Sequence, residues 1–276
     1  MEIEEFFKWF GFNWKKIIKS WVILSLPVLL FILVYLLPSN ITSGWEQDAS
    51  EPSLLNEYLS SVNHKGFEHL KGNSVNFITM AFLLAFIYQF YFRDFKFLLF
   101  IYATVLLTPL FEYLFIYNLG NPPNLISVGA SGLVSALMGI VLAISLYLWI
   151  RPLSKVPIFF QFGFFFILMT VISLTYEVSI KLVSTFFLGL IFVIISKFDV
   201  LKSVNIFSEF LKNPRRDIPI FLTFISVLAI FFLFPPSVQS SNGVTNILSH
   251  YSGLVFGYFL SCLYPFVRNV KISKVI

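Results

Sequence analysis

Long apolar runs separated by short polar stretches account for most of this chain. The runs fall at about residues 20–37, 74–92, 96–117, 130–150, 157–175, 179–196, 218–235 and 247–265. Each is close to the 17 to 25 residues that an α-helix needs to cross the hydrocarbon core of a bilayer. The pattern predicts an all-α fold, a polytopic membrane helical bundle with about eight transmembrane helices. The run at 179–196 is the weakest, because only the 15 residues from Leu182 to Ser196 are free of charge. The first run is longer than the 7 to 15 residues of a signal-peptide core and no small-x-small cleavage site follows it, so it reads as a retained span.

The polar stretches complete the plan. Residues 1–19 mix Phe6, Phe7, Trp9, Phe10, Phe12 and Trp14 with Lys8, Lys15, Lys16 and Lys19, the composition of a segment that lies along a membrane surface. Residues 38–72 are the longest polar stretch, with Glu46, Asp48, Glu51, Glu57, Glu68, Lys65 and Lys71. The expected organisation is a cytoplasmic amphipathic segment over 1–19, a transmembrane domain over 20–265 and a cytoplasmic tail over 266–276.

Composition agrees with this plan and narrows it. Hydrophobic residues make up 58% of the chain and charged ones 12%, which argues against a soluble globular domain. The single cysteine, Cys262, lies inside an apolar run, so neither a disulfide framework nor a cysteine metal cluster is expected. The net charge of +5 changes meaning once the charges are placed. With eight spans and a cytoplasmic N-terminus, 16 of the 19 lysines and arginines fall in inner segments, and only Lys65, Lys71 and Lys181 fall outside. That asymmetry is what the positive-inside rule predicts. It places both termini in the cytoplasm and accounts for the charge without nucleic acid.

Candidate chemistry sits at the start of three runs. Gly129-Ala130-Ser131-Gly132 opens the fourth. Taken alone, such a segment is ordinary small-residue helix packing, so its meaning depends on partners. His69 and Asn73 stand just before the second run, and His250-Tyr251-Ser252-Gly253 opens the eighth. In the expected topology these three spans run in the same direction, so Ser131, His250, His69 and Asn73 share one depth near the outer face. Gly132, Ala136, Gly139 and Ala143 form one strip of small residues, and Gly253, Gly257 and Ser261 form another. Packing of the strips would bring a hydroxyl and an imidazole into hydrogen-bond reach, the geometry an activated serine needs. His69 and Asn73 are one turn apart and point the same way if their helix begins by about His69. Glu112, about a turn from the outer end of the third run, reads as a structural hydrogen-bonding group, and 120–124 reads as a turn leading to Ser131.

Gly-x-Ser-Gly, His-x-x-x-Asn upstream of it and His-x-x-Gly-x-x-x-Gly in the last span together resemble the rhomboid intramembrane serine proteases. The resemblance implies a rhomboid-like core and a dyad in which Ser131 is the nucleophile and His250 the base, with no third member. It implies that His69 and Asn73 line the oxyanion site, while Gly129, Gly132, Gly253 and Gly257 pack the helices around it. It also implies substrates that are single-span membrane proteins, no cofactor and no metal. His64 matches a further histidine found loosely in this region of the family, with a minor role. Three departures stand out. Ser135 occupies the place of a tyrosine that stacks on the histidine in many bacterial members, Trp45 is followed by Glu46 where a Trp-Arg pair is common, and two spans are added between serine and histidine.

The function expected is an intramembrane serine endopeptidase that cleaves single-span membrane proteins near the outer face. A multi-pass protein of a prokaryotic plasma membrane is expected from the compact chain. The alternative is a non-catalytic rhomboid-like protein that binds clients; inactive relatives lose the serine or the histidine, and both are present here. A transporter would carry mid-depth charges in several spans or broken helices in paired repeats, and this pattern shows few buried charges and no convincing repeat. Neither His-Glu-x-x-His nor Gly-x-Gly-Asp occurs, which disfavours zinc and aspartyl intramembrane chemistry.

Overall fold

A computed structural model describes residues 13–48, 51–118, 126–127, 129–174, 180–199, 203, 214–233, 239–240, 243–244 and 247–268. Within them every predicted apolar run is helical. The elements in order are α1 (Trp14–Ser25), α2 (Pro27–Tyr35), α3 (Ser39–Thr42), β1 (Gln47–Asp48), α4 (Leu54–Ser60), α5 (Phe67–Ile87), α6 (Phe95–Asn118), β2 (Ile126–Ser127), α7 (Ser131–Ile150), α8 (Pro157–Ser173), α9 (Ile180–Ile195), α10 (Pro214–Leu233), β3 (Gln239–Ser240), β4 (Gly243–Val244) and α11 (Ile247–Arg268). The fold is all-α and polytopic. Among the described residues three helices, α5 with its continuation to Phe92, α6 and α7, are long and apolar enough by themselves to cross a membrane, and the bent pair α1–α2 passes the same test only when taken together as one span. Shorter apolar helices occupy α8, α9 and α10.

Helix boundaries depart from the apolar runs where local capping outweighs hydropathy. Helix α1 begins at Trp14, not near Ser20, because the Asn13 side chain accepts the Lys16 N–H at 3.2 Å and caps the first turn. Trp14 to Lys19 therefore lie in helix α1, and residues 1–12 of the expected surface segment lie outside the described residues. A bend of 41° separates α1 from α2, where Pro27 at the first turn of α2 has no N–H to continue the ladder. Helix α5 begins seven residues before its apolar run and carries His69 and Asn73 in its first two turns. It passes into a π-helical turn, Tyr88–Phe92, closed by left-handed Arg93, whose N–H returns to the Tyr88 carbonyl at 2.7 Å.

The chain forms two compact units. One comprises Met1–Val141 with Val238–Leu260, and the other Leu142–Ser237 with Ser261–Ile276. In the first unit α1 is tied to α5 by the Trp21 indole N–H on the Ile78 carbonyl at 3.0 Å, and to α6 by the Tyr102 hydroxyl on the Ile23 carbonyl. Outward-facing Val22, Leu29, Leu30 and Leu33 are exposed on α1 and α2, as a lipid-facing surface requires. Helix α7 differs sharply: 89% of its apolar window is buried, against 33% for α5 and 39% for α6.

The second unit is held by α8 against α9. A Cβ on Gly163 would lie 2.6 Å from the Gly189 carbonyl, and one on Gly189 would lie 2.9 Å from the Gly163 carbonyl, so the two backbones touch. Phe159, Phe162 and Phe166 gather around Phe192 beside that contact. Buried Gln161 donates to the Ala143 carbonyl at 2.8 Å, and Thr223 meets Ser145 at 3.1 Å.

Candidate active site

Ser131 is the first residue of α7. The first helical bond runs from the Val134 N–H to the Ala130 carbonyl at 3.0 Å, so the N–H groups of Ser131, Gly132 and Leu133 have no acceptor within the helix. The positive end of the helix dipole lies at the same place. Ser135, one turn on, turns its hydroxyl back to the Ser131 carbonyl at 2.8 Å and so fills the position of the missing tyrosine with an internal helix bond.

The approach to Ser131 is held by the segment that precedes α5. Strands β1 and β2 pair antiparallel, Gln47 with Ser127 and Asp48 with Ile126. The Gly129 N–H then donates to the Ser60 carbonyl at 2.7 Å. Gly129 has φ of 109°, a left-handed conformation that favours glycine. A side chain there would also collide with the His69 ring and come within 3.0 Å of Asn73 Nδ2. The two side chains expected to line an oxyanion site therefore lie against the backbone two residues before Ser131. The segment 120–124, read as a turn, lies outside the described residues.

Asn73 is buried, and its Nδ2 lies 3.1 Å from His64 Nε2. The other ring nitrogen of His64, Nδ1, faces the Val62 carbonyl at 3.2 Å, which can only accept. The proton of a neutral His64 is thus on Nδ1, and Nε2 accepts from Asn73. Burial first, and then the neighbouring charge of His69, push the His64 pKa down to about 4, which keeps it neutral. The His64 and His69 rings meet edge to face at 5.2 Å. His64 is more deeply built into the site than its loose spacing suggests: it fixes the amide of Asn73.

Helices α7 and α11 meet backbone to backbone. A Cβ on Gly253 would collide with the Gly132 carbonyl, and one on Gly257 with the Ala136 carbonyl. A Cβ on Gly139 would lie 2.5 Å from the Leu254 carbonyl and 2.6 Å from the Tyr258 nitrogen. The contacts advance by four residues along both helices together, so α7 and α11 run parallel. The two strips of small residues meet as their spacing predicts. Ser131 is one residue before Gly132, and His250, half-buried, is three before Gly253, so both stand in the first turns of the paired helices. Stacking of Phe111 on Phe256 at 4.8 Å holds α6 to the same helix.

A buried carboxyl lies under this end. Glu112 of α6 is enclosed, and Oε1 accepts from the Ser249 hydroxyl at 2.9 Å and from Ser252 at 3.4 Å. A Cβ on Gly132 would strike the same oxygen. Glu57 of α4 faces the same carboxyl; burial pushes the Glu57 carboxyl up to about 7, with its interaction with Glu112 opposing that shift. Glu57, Ser249 and Ser252 were not singled out in the sequence. The short helix α4 conceals its role because its pattern is inverted: Glu57 and Ser60 are buried while Leu54 and Leu55 are exposed. Among the described residues no group of three histidines, cysteines or carboxylates is placed to hold a metal ion.

Parallel small-residue helices, a serine at a helix N-terminus and polar groups collected at one end of apolar helices define a polytopic membrane protein with a built polar site. Its family follows from comparison: the rhomboid domain model matches residues 54–198, just over half of the 276 residues, and the chain belongs to the rhomboid family. The matched segment contains His69, Asn73 and Ser131 and ends before His250. Neither a curated protein nor a solved structure matches the chain.

Proposed function

We propose that the protein is an intramembrane serine endopeptidase that cleaves single-span membrane proteins near the outer membrane face, with Ser131 as nucleophile and His250 as general base. The observation that supports this most is the contact of Gly132 with Gly253, which sets the helices of Ser131 and His250 parallel and as close as backbones allow. His250 takes the hydroxyl proton as the Ser131 oxygen attacks the peptide carbonyl. It then gives that proton to the leaving amine, and water hydrolyses the acyl-enzyme by the same exchange. The oxyanion is met by N–H groups at the start of α7 and by the side chains of His69 and Asn73, donors fixed in advance in a low-dielectric setting. The substrate helix must unwind at the cleaved bond, because a helical backbone hides its carbonyls.

Lysine and arginine placement supports cytoplasmic termini and eight spans, with the site toward the outside; the membrane proposed is a prokaryotic plasma membrane. The test is reconstitution of the protein and of Ser131→Ala in liposomes with a reporter single-span substrate. Cleavage by the parent and none by the variant supports the peptidase. Client binding by both without cleavage by either establishes the non-catalytic alternative.

A further inference from the structure

Glu112 stands where three helices converge, and the proposed mechanism gives it no part. Its Oε1 is shared by two hydroxyls of α11, Ser249 at 2.9 Å and Ser252 at 3.4 Å. These residues flank His250 in sequence, one before it and two after it. The same oxygen occupies the space that a side chain at Gly132 would take on α7, next to Ser131. A single atom therefore touches the serine's helix and grips the histidine's helix on both sides of the imidazole. On the far side the carboxyl faces that of Glu57 on α4.

A purely packing role does not require this chemistry. An aliphatic side chain would fill the space beside Gly132, and the Ser252 hydroxyl has a second acceptor in the Ser249 carbonyl at 3.0 Å. What an aliphatic side chain lacks is a directed acceptor for two hydroxyls one turn apart. Two such bonds fix the rotation of α11 about its axis, and rotation about the axis decides where the His250 ring points.

We propose that Glu112 is a positioning residue: through Ser249 and Ser252 it sets the rotation of α11 against α7 and thereby aims the imidazole of His250 at Ser131. The inference rests on the peptidase reading above. The acting form needs only the acceptor oxygen, so an amide at this position can replace the acid.

The test is steady-state cleavage of the reporter substrate by the full chain in liposomes, with kcat and KM measured separately for Glu112→Gln, Glu112→Leu and the double variant Ser249→Ala/Ser252→Ala. Glu112→Gln keeps the acceptor and retains kcat within about threefold. Glu112→Leu lowers kcat by about 10²-fold, the loss that accompanies an ångström of misalignment at the reacting atoms, with KM unchanged. Ser249→Ala/Ser252→Ala lowers kcat in the same manner with Glu112 in place, and it decides the matter if Glu112→Leu does not fold. Parental kcat in the double serine variant, or a kcat for Glu112→Gln as low as that for Glu112→Leu, overturns the positioning role. Ser131→Ala is assayed alongside: cleavage by that variant removes the peptidase reading itself, whereas its inactivity beside serine and glutamate variants of parental kcat removes only this inference.

Discussion

Two pairs of helices in this protein use glycine in the same way and end with different surroundings. In α8–α9, Gly163 and Gly189 let the backbones touch, and the neighbours are phenylalanines and aliphatic side chains. In α7–α11, Gly132, Gly253, Gly257 and Gly139 do the same, but the contact ends among Ser131, His250, Glu112, Ser249 and Ser252. Close approach is therefore only a means of packing helices in a medium where the hydrophobic effect does not drive their association. Chemistry depends on what the approach brings together at the helix ends.

That contrast can be broken from either side. The largest effect is expected from Asn73→Ala, which alters the polar end and leaves the helix contacts alone. Loss of one oxyanion donor lowers kcat about 10²- to 10³-fold, and the bereft Nε2 of His64 costs on the order of 1–3 kcal/mol of stability. Cleavage kinetics paired with thermal unfolding measure both, and unchanged turnover removes Asn73 from the site. Next comes Gly253→Val, which forces α11 away from the Gly132 carbonyl. A shift of about an ångström lowers kcat roughly 10²-fold, and overpacking costs typically 1–3 kcal/mol.

Gly163→Val sharpens the comparison. It imposes the same kind of overpacking on α8–α9 and should lower the melting temperature by a similar amount, while kcat per folded molecule stays within about threefold of the parent. Equal losses of activity in the two glycine variants would show that packing alone, wherever it fails, limits catalysis.

The smallest effect expected is on stability as a function of pH. The Glu57 carboxyl is raised by burial to about 7 from a usual value near 4.5, so the folded state binds its proton more tightly than the unfolded state does. Its contribution to stability is complete below the unfolded value and is lost as pH rises through about 7. Unfolding temperatures measured from pH 5 to 8.5 should fall through that window, and Glu57→Gln, which cannot ionise, should flatten the fall.

Much of this was legible in the chain because membrane helices advertise themselves by hydropathy. Within the described residues the apolar runs coincide with helices, the first of them bent into two, and the spacing of Gly132, Ala136, Gly253 and Gly257 matches the faces that touch. The helix of His69 begins at Phe67, so the condition for His69 and Asn73 to stand one helical turn apart is met. The site's surroundings were harder to read. Residues 38–72 gave the signal of a polar loop, yet they hold α3, β1 and α4, because elements this short carry little periodicity. Helix α4 also turns Glu57 inward and Leu54 and Leu55 outward, the reverse of a soluble helix, so a pattern sought on the usual assumption passes over it. Ser249 and Ser252 were visible only as small residues around a histidine. Their partner Glu112 lies 137 residues before Ser249, a distance over which neither spacing nor composition carries information.

The account turns on whether Ser131 is an activated nucleophile. The most direct measurement is labelling of the reconstituted protein with a fluorophosphonate, followed by mass spectrometry of the modified peptide, in the parent and in His250→Ala. The prediction is a single adduct on Ser131 that forms in the parent and is lost in His250→Ala while unfolding temperatures remain alike. An unlabelled Ser131 in folded parent protein, or equal labelling with and without the histidine, would contradict it.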